Sequence, residues 1–205
     1  MLHIISVTFQ QPTELLVSVS SFVLQTNPNW ELNVVHDGPI PEDVMKIMSI
    51  FKDPRIRLTY SETRTQCWGH KNRRKALEEL EGEPTDYVLF TNGDNYVVPQ
   101  FVEQMMAATD YMRINSEGAL EPAKAGIVYC NCVHSHLKYA LHKSELYEGG
   151  VDMAALIVRF DIAKEVGFVH FHFSADGAYA TECKAKCDEL GLECRHIHKP
   201  LFCHN

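Results

Sequence analysis

The sequence predicts an α/β protein built on a mostly parallel sheet with helices on both faces. Three observations carry that expectation. From His3 to Met112, short apolar runs alternate with segments of helical apolar spacing, the order that lays parallel strands side by side. One run, Tyr87-Val88-Leu89-Phe90, is apolar without interruption, as a strand covered on both faces must be. It breaks off into Thr91-Asn92-Gly93-Asp94-Asn95, and the carboxyl ends of such strands are where open α/β sheets collect ligands.

The elements follow in order. His3 to Phe9 reads as a strand ended by Gln10-Gln11-Pro12. Thr13 is a candidate N-cap for a helix over Glu14 to Gln25, with apolar residues at Leu15, Leu16, Val19, Phe22 and Val23. Trp30 to Val35 is a second strand, closed by His36-Asp37-Gly38-Pro39. Pro41 opens a helix over Glu42 to Phe51. Arg55 to Tyr60 is a third strand, Lys71 to Leu80 a helix, Tyr87 to Thr91 the fourth strand and Gln100 to Met112 the next helix. Beyond it the pattern loosens. Ile127 to Val133 and Ala154 to Arg159 read as strands, Asp161 to Val166 as a helix, and Phe173 to Leu190 holds Asp176 and then a helix. Arg195 to His198 reads as a short last strand, and 113–126 and 134–150 as loops. The expectation is a single domain over 1–205, with a regular half (1–112) and a looser half (113–205).

Composition excludes several classes. With 19 basic against 27 acidic residues the net charge is −8, which lacks the basic footprint of a nucleic-acid binder. No apolar run approaches the ~20 residues of a membrane span. Met1-Leu2-His3-Ile4-Ile5-Ser6-Val7 has no basic leader character, so a cytoplasmic protein is expected. The seven cysteines are odd in number and match no zinc-ribbon spacing, which favours free thiols.

Asp94, with Asn92 two residues before it, offers hard oxygen donors that suit Mg²⁺ or Mn²⁺ holding a diphosphate; a turn at a strand end is the plainer alternative. His134/His136, His170/His172 and His196/His198 alternate, so each pair would face one way on a strand and could chelate a transition metal. Trp68 offers an aromatic face to a sugar ring.

Several of these segments also carry a resemblance. Ile4 to Phe9, Phe22-Val23-Leu24-Gln25-Thr26, Trp30 to Gly38, Gly69 to Arg74, Asn92-Gly93-Asp94 and Gly167-Phe168 with Ala175-Asp176 resemble, in that order, motifs of the family 2 nucleotide-sugar glycosyltransferases, which have the GT-A fold. The resemblance implies an inverting transfer from a nucleotide-diphosphate sugar, uridine-linked, to an acceptor hydroxyl, with 1–112 as the nucleotide-sugar-binding half, 113–205 as the acceptor-side half, and Trp68 and Gly149-Gly150-Val151-Asp152 bordering the acceptor pocket. It implies Thr8 and Asp37 at the nucleotide base, and Lys71, Arg73, Asn92 and Gly93 around the diphosphate. Asp94 would bind the Mg²⁺ or Mn²⁺, with His204 closing over it as in some relatives, and Asp176 would be the general base. Two positions depart from the family pattern: Asn92 replaces the first carboxylate of the Asp-x-Asp motif, and Ala175 replaces the Glu of the Glu-Asp pair. Those departures leave two alternatives open: a nucleotide-binding module weakened in catalysis, and a His-rich metal-dependent hydrolase. An NAD-type oxidoreductase is disfavoured because no Gly-x-Gly-x-x-Gly follows the first strand.

Overall fold

The computed structural model describes residues 1–205. The first half runs β1 (Leu2–Thr8), α1 (Pro12–Val23), β2 (Trp30–His36), α2 (Glu42–Met48), β3 (Ile56–Tyr60), α3 (His70–Glu79), β4 (Tyr87–Asn92), β5 (Tyr96–Val97) and α4 (Phe101–Ala107). The second runs β6 (Asp110–Ile114), β7 (Leu120–Lys124), β8 (Ile127–His134), β9 (Ala140–His142), β10 (Leu156–Arg159), α5 (Phe160–Val166), α6 (Ala175–Glu189) and β11 (Cys194–His204).

The main sheet has the order β3-β2-β1-β4-β10-β8-β11-β5, with β9 added onto β8. β1 is parallel to both β2 and β4, and β2 is parallel to β3. β1 lies inside the sheet, and all seven of its residues are buried. The edge strand β3 is half exposed, as an unpaired edge covered on one face would be. The parallel order breaks where β10 runs antiparallel to both β4 and β8. One cluster of buried hydrophobic side chains includes Ile4 and Leu89 from the first half and Ile157 and Ala180 from the second.

Several boundaries differ from the sequence expectation for identifiable reasons. Thr13 is not the N-cap of α1. Gln11 occupies that position and Pro12 stands at the first helical residue, where its missing N–H costs nothing. Helix α4 stops at Ala107 rather than Met112, because the Thr109 hydroxyl donates to the Met106 carbonyl at 2.7 Å and ends the turn. The following residues join the segment expected to be a loop, and β6 and β7 form an antiparallel hairpin paired from Asp110–Lys124 to Ile114–Leu120. The 134–150 stretch contains a 3₁₀ turn at Ser135–Leu137 and the short strand β9. The last strand is far longer than Arg195 to His198. It continues through Pro200, where register shifts in the β11–β8 ladder accommodate a residue with no N–H to give. That extension carries His204 level with His134 on the neighbouring strand.

Candidate functional site

The carboxyl ends of β1, β2 and β4 are tied together. The Asp37 amide donates to the Thr8 carbonyl at 2.9 Å and the Gly93 amide to the Val7 carbonyl at 2.8 Å. Gly93 has to be glycine here, since a Cβ would stand 2.6 Å from Thr8 Cβ. Beside this edge opens a cleft of about 300 Å³, lined by Thr8, Phe9, Gln11, Asp37, Arg64, Gln66, Trp68, Asn92 and Asp94 among others. Two enclosed polar atoms at it have no partner, Thr8 Oγ1 and Asp94 Oδ1. Buried polar atoms are nearly always paired, so orphans in a cleft point to a ligand.

Asp37 is buried and heavily used. Its Oδ1 accepts from the Thr65 amide and hydroxyl (2.8 and 2.7 Å) and from Asn72 Nδ2 (2.8 Å), whereas Oδ2 accepts only the Gln66 amide at 3.2 Å. Burial opposes the charge, but these bonds from Thr65, Asn72 and Gln66 outweigh it and hold the carboxyl below its usual range. They also anchor a strained segment. Gln66, Cys67 and Trp68 take φ values of 56°, 51° and 52°, followed by Gly69 at 76°. Three successive non-glycine residues in this region cost on the order of 1–3 kcal/mol each, and such strain persists where the surroundings over-determine it. At Gly69 a Cβ would lie 2.5 Å from Val7 Cγ1, so the loop is pressed against β1.

A second cavity of about 410 Å³ adjoins the first and shares Trp68 and Asn92 with it. Arg73, His70, Asp152, Asp176, His134, His136, His142 and His204 line it. Arg73 is buried at its floor. Nη1 donates to the Trp68 carbonyl at 2.6 Å and Nη2 to Asn92 Oδ1. Burial lowers the guanidinium to about 10, against the pull of Asp176, Asp152 and Asp94, which face it. His70 accepts from Arg73 Nη1 at Nδ1 (3.3 Å) and donates from Nε2 to the His172 carbonyl (3.1 Å), a neutral tautomer. Burial and the Arg73 charge lower it to about 4.

Three carboxylates thus act on this guanidinium through their charge, none of them bonded to it directly. Burial pushes Asp94 up, and Asp152 adds to the effect. Burial and Asp152 do the same to Asp176, in the first turn of α6. Asp152 itself is held low despite burial, because His204 Nδ1 lies 2.7 Å from its Oδ2 and the Ala154 amide donates at 2.8 Å. The His204–Asp152 contact is an ion pair out of line for a hydrogen bond, and it raises His204. An acidic pocket with an orphaned carboxylate oxygen suits a divalent cation.

Of the sequence-derived candidates, Thr8, Asp37 and Asp94 meet at the first cavity, and Arg73, Asp176 and His204 meet at the second. Asn92 lines both, and Gly93 packs beneath the first. Lys71 stands apart, exposed on α3 and lining neither cavity, because the helix turns Asn72 and Arg73 inward in its place. Ala175 is fully buried. Of the three His-x-His pairs only His134/His136 reaches the cavity intact. His170 pairs with Glu182, and His196 stacks on Tyr129 and bonds Asn131. Sequence reasoning missed His70, Arg64 and Phe173. Arg64 stacks over Phe9 at 3.7 Å, and Phe173 meets Trp68 edge-on at 6.1 Å on the rim. No local motif marks them: Arg64 and Phe173 are brought in by loops, and His70 by the first turn of α3.

The family model for glycosyl transferase family 2 matches residues 3–113, more than half of the chain. No curated protein matches significantly. Among solved structures, S. aureus TarS 1–349 in complex with UDP superposes with a TM-score of 0.71 at 16% identity, covering 100% of this chain and 60% of that one. The same TarS fragment in complex with UDP-GlcNAc gives 0.70 at 15% identity. The mannosyltransferase PcManGT from Pyrobaculum calidifontis, in complex with GDP-Man and Mn²⁺, gives 0.70 at 13%, covering 99% of this chain and 56% of that one. This chain therefore spans under two thirds of the length of these neighbours, which share its fold. No helix is long and apolar enough to cross a membrane. With the matched segment running from β1 to β6 and the doubly wound sheet completed by the second half, the chain belongs to glycosyl transferase family 2 and has the GT-A fold.

Proposed function

We propose that the chain carries out an inverting, metal-assisted transfer of a sugar from a nucleotide-diphosphate sugar, uridine-linked, to an acceptor hydroxyl. The observation that carries this reading is the junction of the two cavities at Asn92 and Trp68, which sets an orphaned carboxylate on one side and a carboxylate of raised pKa on the other.

In this reading the nucleotide lies over Thr8 and Asp37. Asp37 Oδ2, with one bond made, accepts the imide N–H of uracil, and Thr8 Oγ1 takes a second contact. Asp94 and His204 would hold Mg²⁺ or Mn²⁺, which supplies positive charge to a departing diphosphate. Arg73 adds a fixed positive charge below the same region. The acceptor occupies the second cavity against Trp68. Asp176 takes the acceptor hydroxyl proton as that oxygen bonds to the anomeric carbon. The bond from that carbon to the diphosphate oxygen breaks on the opposite face, and the nucleoside diphosphate leaves with the electron pair. Burial makes Asp176 a stronger base than an exposed carboxylate.

The engagement of Asn92 by Arg73 and the burial of Ala175 favour a second reading, a nucleotide-binding module weakened in catalysis. One experiment separates the two. UDP, GDP, CDP and dTDP are titrated calorimetrically with and without Mn²⁺, on the native chain and on Asp94→Asn, followed by turnover assays with the sugar conjugate of whichever binds. Metal-dependent UDP binding lost in Asp94→Asn supports the nucleotide site, and transfer decides between enzyme and module. No binding of any nucleotide overturns both.

A further inference from the structure

Three imidazoles meet where β8 and β11 end together. The ladder pairs His204 with His134, and the 3₁₀ turn after β8 brings His136 round beside them. Their donor nitrogens lie within 4.8 Å of one another. We propose that His134, His136 and His204 form a nitrogen-donor site for a borderline transition-metal ion, Zn²⁺ by preference, facing the second cavity.

Donor chemistry sets the class of ion. Imidazole suits zinc, copper, nickel and iron, whereas Mg²⁺ and Mn²⁺ favour carboxylate and water oxygens. The surroundings prepare the rings. Asp152 Oδ2 lies 2.7 Å from Nδ1 of His204, which leaves Nε2 for the metal, and a small turn of the ring would bring the pair into line as the carboxylate that supports a ligating histidine. His134 Nδ1 is enclosed and unpaired, while its Nε2 stands 3.6 Å from the Cys132 thiol. Tetrahedral zinc requires donors roughly 3.3 Å apart, given a Zn–N length of ~2.0–2.1 Å. The exposed His136 can rotate toward that spacing. His142, with its ring centroid 5.2 Å from that of His134, stands next to the set and donates to the Gly150 carbonyl at 3.2 Å. Three protein ligands leave a fourth position open, as in zinc sites that bind water or substrate. Its ligand class is an oxygen donor of the bound substrate, such as a hydroxyl or phosphate. The other His-x-His pairs lack a third imidazole and are engaged with Glu182, Asn131 and Tyr129.

This inference goes beyond the transferase reading and shares only His204 with it, so the test separates them. Metal-stripped protein is titrated with Zn²⁺ against a chromophoric chelator in the absence of nucleotide, and with Co²⁺ for its visible spectrum. The expected result is one Zn²⁺ per chain bound more tightly than Mn²⁺, with the intense bands of tetrahedral Co²⁺. His136→Ala, exposed and outside the core, weakens Zn²⁺ by roughly tenfold or more, His134→Ala does likewise, and the control His170→Ala leaves it unchanged. Zn²⁺ affinity unaffected by both His134→Ala and His136→Ala, or no tighter than Mn²⁺, overturns the site. UDP binding measured with Mg²⁺ on zinc-free protein reports on the transferase reading alone.

Discussion

Arg73 and Asn92 hold each other at the boundary of the two cavities, the guanidinium Nη2 donating to the side-chain oxygen of Asn92. The first residue of the Asn-Gly-Asp segment is therefore turned to the protein's own cation. The same guanidinium pins the Trp68 carbonyl, so one buried side chain links β4, the strained loop and α3.

That link sets what a carboxylate at position 92 would do. Asn92→Asp gives Arg73 a charged partner in a buried setting, and such a pair is short and strong. The new carboxylate stays with Arg73, and Mn²⁺ affinity rises by less than ~10-fold, where an added free carboxylate ligand would raise it further. Calorimetric Mn²⁺ titration of the variant beside the native chain checks this, and a far larger gain shows the carboxylate swung to the metal.

Asp176→Asn keeps the shape of the α6 terminus and removes the base. Donor binding by calorimetry is expected to be unchanged, while turnover falls by ~10²–10⁴-fold. The acid limb of the native kcat/KM profile lies above the ordinary carboxylate range, because burial and Asp152 raise Asp176. That limb disappears from any residual activity of the variant. Native turnover in Asp176→Asn excludes it as the base.

His70 makes stability depend on pH. Its folded value of about 4 lies below the unfolded 6.5, so between these values the unfolded chain binds more protons. Stability contributed by neutral His70 is complete above about 6.5 and is lost as pH falls toward 4, by roughly 3 kcal/mol at most. His70→Gln can still accept from Arg73 and donate to His172. Urea unfolding at several pH values is expected to show a flatter slope for the variant in this window, and parallel slopes remove His70 as the cause.

Gly93→Ala places a methyl 2.6 Å from Thr8 Cβ and 2.7 Å from its hydroxyl. Overpacking of this kind costs ~1–3 kcal/mol. A fall in Tm is expected, with weaker UDP binding as Thr8 moves. An unchanged Tm means that β1 and β4 separate freely there.

Sequence alone determined the doubly wound half. The runs of β1, β2 and β4 are apolar because neighbours cover both faces, and periodicity reports burial directly. It also singled out Asp94, Arg73, Asp176 and His204, since each stands in or near a segment whose pattern a family shares. What only the tertiary structure decided is who meets whom. Asp37 reads as a free acceptor in the chain, yet Thr65, Gln66 and Asn72 occupy most of its lone pairs. Lys71 and Arg73 are two residues apart and equally basic, and the rotation of α3 buries one and exposes the other. His204 faces Asp152 and His134 because β11 runs on through Pro200, across register shifts that no local pattern encodes. Local sequence fixes the covering of each strand, while contacts between residues far apart in the chain depend on register and helix rotation, which are set by packing the whole core at once.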